Sequence, residues 1–136
     1  MIRRVYKRSQ LAAIIIDFSS EISATTFFTD HESPLQIGII SKDFNQPVLP
    51  HRHNTFERKI SATSEFLFVL EGSMTLTIFD ENFAEPEYFD VAKGSGVLLL
   101  GGAHAIEFRN SAKLIEVKQG PYAAEMDKVY LVESDT

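Results

Sequence analysis

His51 and His53 stand one residue apart in the run PHRHNTFERKISATSEFLFVLEG, which extends from Pro50 to Gly72. In an extended chain side chains alternate between faces, so these two imidazoles point the same way and Arg52 points the other. Two imidazoles on one face can share a metal ion. Further along, Glu65 opens the stretch EFLFVLEG, in which Glu65, Leu67 and Val69 fall on one face and Phe66, Phe68 and Leu70 on the other. An acid at the head of a mostly buried strand needs a cationic partner, because an isolated buried charge is costly. A metal would be one such partner. A third histidine, His104, follows a Gly101-Gly102 break and shares a face with Ile106 and Phe108. Three imidazoles and one carboxylate suit a divalent ion such as Fe, Mn, Zn, Ni or Cu, with coordination positions left for water or substrate.

The elements that must position these groups read as short strands. Leu11 to Phe18 is rich in β-branched residues and ends at Ser19-Ser20. Thr25 to Pro34 reads as strand or loop, Leu35 to Ile40 as a buried strand, and Asp43 to Gln46 as a turn. Val48 to His53 is then an extended segment that delivers the paired histidines and can continue through Phe56, Arg58 and Ile60. EFLFVLEG and Met74 to Asp80 suggest a hairpin turning at Gly72-Ser73. Glu87 to Val91, Val97 to Leu100, the segment bearing His104, and Leu114 to Lys118 complete the set. Frequent turns without a βαβ rhythm predict an all-β sandwich or small barrel.

The 136 residues, 44% of them hydrophobic and with eleven Phe, suit one domain over 1–136. No cysteine is present, so disulfides and thiolate metal sites are excluded and a cytoplasmic location is the expectation. The net charge of −6 argues against a nucleic-acid partner, although Arg3, Arg4, Lys7 and Arg8 make a basic tip. The apolar run from Leu11 to Ile16 is too short for a signal peptide, and no segment has the length of a membrane span.

The order H-x-H, Glu, six residues, Gly, and then a glycine turn leading to a third His resembles the two motifs of the cupin superfamily. His51-Arg52-His53 and the Glu65 to Gly72 spacing are similar to the first motif, and Gly94 to His104 to the second in outline. The resemblance implies a double-stranded β-helix, the cupin jelly-roll barrel, with one divalent metal ion per chain held by His51, His53, Glu65 and His104. Glu57 stands at the family's usual distance from His53 but lacks the downstream glycine. Glu65 is therefore the expected ligand, and Glu57 is the candidate acid or base beside it. The tail VKQGPYAAEMDK is similar to that of single-domain bacterial cupins, some of them like proteins of nucleotide-sugar metabolism.

Three functions follow as expectations. The first is a metal-dependent enzyme acting on a polar small molecule in the barrel, such as a sugar derivative or keto acid. The second is a non-catalytic small-ligand sensor. The third is a metal-free epimerase or isomerase of the deoxysugar type, needing a His base paired with an acid. Because EFLFVLEG is apolar on both faces, Phe66, Phe68 and Leu70 need a cover, either the N-terminal strands or a second subunit, and a homodimer is the expectation. Arg58, Lys59 and Arg109 are candidates for an anionic substrate, and Tyr122, Asp127 and Lys128 for closing the barrel.

Overall fold

A computed structural model describes residues 1–131 and contains ten strands, with no helix among those residues. In chain order these are β1 (Ile2–Lys7), β2 (Gln10–Asp17), β3 (Thr26–Phe27), β4 (Gly38–Ile39) and β5 (Glu65–Glu71). They continue with β6 (Ser73–Phe79), β7 (Glu87–Ala92), β8 (Ser95–Leu99), β9 (Ala103–Phe108) and β10 (Lys113–Lys118). The protein is all-β, as its short alternating segments predict. No helix among the described residues is long and apolar enough to cross a membrane.

A five-stranded sheet has the order β1-β2-β8-β5-β10, a three-stranded sheet the order β7-β6-β9, and β3 pairs only with β4. Every pairing is antiparallel. The two larger sheets share one core. Ala13, Leu67, Val69, Val97 and Leu99 come to it from the first sheet, and Met74, Leu76, Ile78, Phe89 and Val91 from the second. Burying these side chains between two layers is the main stabilising term. The opposite face of the five-stranded sheet supports a second cluster, in which Ile14, Ile16 and Leu98 pack with Phe28 under a cover that includes Ile22, Leu35, Ile37 and Ile39. Strand β2 is thus covered on both sides, which is why its run of isoleucines does not alternate with polar residues. Phe66 also belongs to this second cluster, and the Phe18 ring meets the rings of Phe66 and Phe68 at centroid distances of 6.2 and 5.8 Å. Residues before Ile40 thus cover much of the outer face of β5, while Leu70 remains 37% exposed.

Several local expectations change. The basic tip is strand β1 with the turn after it; Lys7 is buried, whereas Arg3, Arg4 and Arg8 are exposed, each in contact with another segment. Arg3 lies over the Phe89 ring, Arg4 donates to the carbonyl of Phe28, Lys7 pairs with Glu87 at 2.6 Å and Arg8 with Asp80 at 2.7 Å. The β1–β2 turn places Arg8 and Ser9 at φ of 46° and 66°, a conformation that sequences usually mark with Asn-Gly. EFLFVLEG and MTLTIFD do not form a hairpin. Strand β5 pairs with β8 and β10, whereas β6 pairs with β7 and β9, so the chain changes sheets at Gly72. That corner requires glycine, with φ of 74° and the Ser111 carbonyl oxygen 2.5 Å from where a Cβ would stand. Of Leu35 to Ile40 only Gly38–Ile39 is a strand; Leu35 and Ile37 lie as a cover on the second cluster, and Ile40 is exposed. Val48 to His53 is not a strand, and every residue from 42 to 63 is exposed.

Candidate functional site

Glu65 opens β5 in one sheet and His104 sits on β9 in the other, yet His104 Nε2 lies 3.3 Å from Glu65 Oε2. The alternation that buries Leu67 and Val69 carries Glu65 to the same inner face, so its carboxylate enters the space between the sheets. Its side chain is 12% exposed. The β5–β10 register sets Lys118 directly beside it, with Nζ 3.9 Å from Glu65 Oε1. Lys118 in turn donates to Asp127 Oδ2 at 3.2 Å and lies over the Tyr122 ring. The side chains therefore form a row His104, Glu65, Lys118, Asp127 in which each acid lies beside a basic group.

Charge in this row is strongly partnered. The His104 ring beside Glu65 lowers the pKa of its carboxyl; burial opposes this, and Lys118 and Lys128 add to the lowering. For Lys118 the hydrogen bond to Asp127 raises the pKa against a smaller effect of burial. Glu65 is thus held as an anion and Lys118 as a cation. An imidazole that turns an Nε2 proton to the carboxylate would keep Nδ1 as its basic nitrogen.

The pair borders a cavity of about 860 Å³. Phe79, Phe83, Leu99 and Ile106 give it apolar walls, and Gly101 and Gly102 bring bare backbone to its edge. Gly102 has φ of 69°, and a Cβ there would strike the Phe79 carbonyl oxygen. Polar groups come from Glu65, His104, Glu81, Asp127, Lys128 and Tyr130. Mostly apolar walls with a few convergent polar groups are the usual make-up of a small-molecule site.

The structure brings Glu65 and His104 together and places His51, His53 and Glu57 elsewhere. The His51 and His53 rings are neighbours, with centroids 5.3 Å apart, on the exposed segment 42–63. His51 Nδ1 lies 2.8 Å from the Leu49 carbonyl oxygen. Glu57 is exposed on the same segment, and none of these three lines the cavity. Among the described residues no group of three or more His, Cys, Asp or Glu side chains is close enough to hold a metal ion. The four expected ligands stand as two separate pairs and, in this arrangement, do not fit one coordination sphere. Phe108, expected on the inner face, is 59% exposed. Glu107 is exposed, as its place opposite His104 predicts. Arg109 binds Thr75 and Asp90, and Arg58 stacks on Phe56 at 3.7 Å, so neither faces the cavity.

Lys118, Glu81 and the Phe79–Phe83 wall escaped the sequence reading. Only Lys118 had a signal: in Leu114-Ile115-Glu116-Val117-Lys118 the alternation puts a second charge on the face that a partner strand with Glu65 would need. No protein-family model, curated protein or solved structure matches the chain.

Proposed function

We propose that the chain is a small jelly-roll protein of the cupin type that binds a polar small molecule in the cavity beside Glu65 and His104 and moves a proton there. The observation that carries the reading is the 3.3 Å pairing of His104 with a partly buried carboxylate at the edge of a cavity of about 860 Å³. The jelly-roll reading is supported by the path of the chain, which changes sheets between β5 and β6, between β7 and β8, and on either side of β9.

A carbonyl compound such as a sugar derivative or keto acid suits the site. His104 Nδ1 takes a proton from the carbon next to the carbonyl, and the C–H electron pair moves to form an enolate. The ionised Glu65 offsets the charge of the resulting imidazolium, and Lys128, which lines the cavity, supplies an ammonium group for the enolate oxygen. Return of the proton to the other face or the neighbouring carbon gives an epimer or isomer, with no oxidant consumed. Incubating metal-stripped protein in D₂O with nucleotide sugars, sugar phosphates and keto acids should give NMR-detected deuterium exchange with one compound class, abolished by His104→Ala. Binding without exchange in every form would instead assign the cavity to a ligand sensor.

A second reading keeps the metal. It is favoured by the neighbouring His51 and His53 rings, which present two nitrogen ligands on one short segment. This reading requires segment 42–63 to take a position other than the one described above, in which the two histidines reach Glu65 and His104 and one divalent ion there would supply Lewis-acid chemistry. Elemental analysis of untagged protein distinguishes the two readings, since the second requires close to one ion per chain and its loss in His51→Ala and His53→Ala.

A further inference from the structure

One wall of the cavity is built differently from the others. Residues 120–131 follow β10 without joining any sheet, and they line the cavity with Asp127, Lys128, Val129, Tyr130 and Leu131. Within this segment only Asp127 is not exposed. Val129 and Leu131 stay 84% and 60% exposed although they border the cavity, so the segment lies over the opening rather than packing into it. Apolar side chains in that position are stabilised when a ligand fills the space beneath them. Among the described residues the segment's one side-chain hydrogen bond to the body runs from Lys118 Nζ to Asp127 Oδ2, at 3.2 Å. Its own backbone bond, from the Met126 N–H to the Ala123 carbonyl, is internal. The Tyr122 ring also meets Lys118, with Nζ 5.5 Å from the ring centre. Both attachments therefore go to one side chain.

We propose that residues 120–131 are a strap that closes the cavity, latched by the Lys118–Asp127 pair, and that Lys118 turns to Glu65 when the strap lifts. The ammonium group already stands between two carboxylates, 3.2 Å from Asp127 Oδ2 and 3.9 Å from Glu65 Oε1. A part-buried ammonium that loses one anion moves onto the other, because leaving it unpaired costs more than a small rotation of a flexible side chain. Glu65 has one oxygen for each neighbour, Oε2 towards His104 and Oε1 towards Lys118. With the strap shut, Asp127 holds the closer share of Lys118 and Glu65 is left to His104. With the strap lifted, Lys118 closes on Glu65 and competes with His104 for the carboxylate. Asp127 is thus a positioning residue that acts through Lys118. The strap also carries Lys128, next in sequence to the latch, so its ammonium group reaches the cavity only on closure. Closure of this kind sequesters the reacting groups from water. The consequence for proton transfer rests on the proposed function, whereas the latch and the change of partner do not.

Two NMR readouts at one fixed pH separate the latch from the change of partner. The ¹H–¹⁵N heteronuclear NOEs of residues 128–131 report how firmly the strap is held. The ring ¹⁵N resonances of His104, assigned by their loss in His104→Ala, report its contact with Glu65. Asp127 lies outside the sheets, so its substitution leaves the core in place. Asp127→Asn should lower the NOEs and move the ring resonances from their wild-type positions. Adding Lys118→Met should leave the NOEs low and return the ring resonances to those positions, because the competing ammonium group is gone. Asp127→Glu keeps the anion and should preserve both readouts. NOEs in Asp127→Asn as high as in the wild type would overturn the latch. Ring resonances that do not move in Asp127→Asn, or that Lys118→Met fails to restore, would overturn the change of partner. A wild type that exchanges no deuterium with any compound removes the reading of function and leaves these two readouts to decide the strap.

Discussion

His104 Nε2 and Glu65 Oε2 stand 3.3 Å apart across two different sheets, so the pair exists only when both layers are in place. Glu65 also has Lys118 as its register neighbour on β10. One carboxylate therefore faces both an imidazole and an ammonium group. Glu65→Gln removes the anion that offsets an imidazolium, and proton exchange at the cavity should fall about 100-fold. Glu57→Gln, on the exposed segment 42–63, should leave the rate unchanged when both variants are assayed side by side.

The pH dependence of stability follows from the same row. Glu65, Asp17 and Asp80 are all lowered: Glu65 chiefly by His104, Asp17 by the Ser19 hydroxyl, and Asp80 by the Ala84 backbone N–H. For a lowered acid the stabilisation is present above its unfolded pKa, about 4, and disappears as pH falls through the lower folded value. Lys118 is raised, so its contribution is complete below about 10.4 and is lost as pH rises through the higher folded value. Denaturant midpoints should therefore be level between about pH 5 and 9.5 and fall at both ends. Asp127→Asn should remove part of the alkaline fall alone.

Much of this site could be read from alternation. The inward face of Glu65, Leu67 and Val69 and the strand-borne His104 follow from period two, and both residues reach the cavity. The path of the chain could not be read that way, because Gly72-Ser73 serves equally as a hairpin turn and as a corner between sheets. Pairing partners several strands away decide between these. Charged β1 was equally opaque, since Lys7 is buried only because Glu87 waits on β7. His51 and His53 are neighbours as their spacing predicts, but spacing says nothing about which surface their segment meets.

Turn strain gives a stabilising substitution. Ser9 holds φ of 66° in the β1–β2 turn, where a Cβ is unfavourable. Ser9→Gly should raise unfolding free energy by about 0.5–1 kcal/mol in chemical denaturation. Arg8, in the same conformation, should be left in place for its contact with Asp80.

Two core substitutions separate the layers. Leu76 is fully buried between the two large sheets, and Leu76→Ala should cost about 2–5 kcal/mol. Gly96 lies beneath the outer cover, where a Cβ would stand 2.8 Å from the Phe66 ring and 2.9 Å from that of Phe18. Gly96→Val should displace those rings and loosen the cover, read as faster amide exchange at residues 22–39 than in the inner strands.

The most direct test of the proposed site is an NMR titration of ¹⁵N-labelled protein with the nucleotide sugars, sugar phosphates and keto acids of the exchange screen. One class should shift the amides of Gly101, Gly102, Ala105 and Ile106, and these shifts should be absent in His104→Ala. Shifts confined to other surfaces, or cavity shifts that persist unchanged in His104→Ala, would contradict the assignment of Glu65 and His104 as the functional centre.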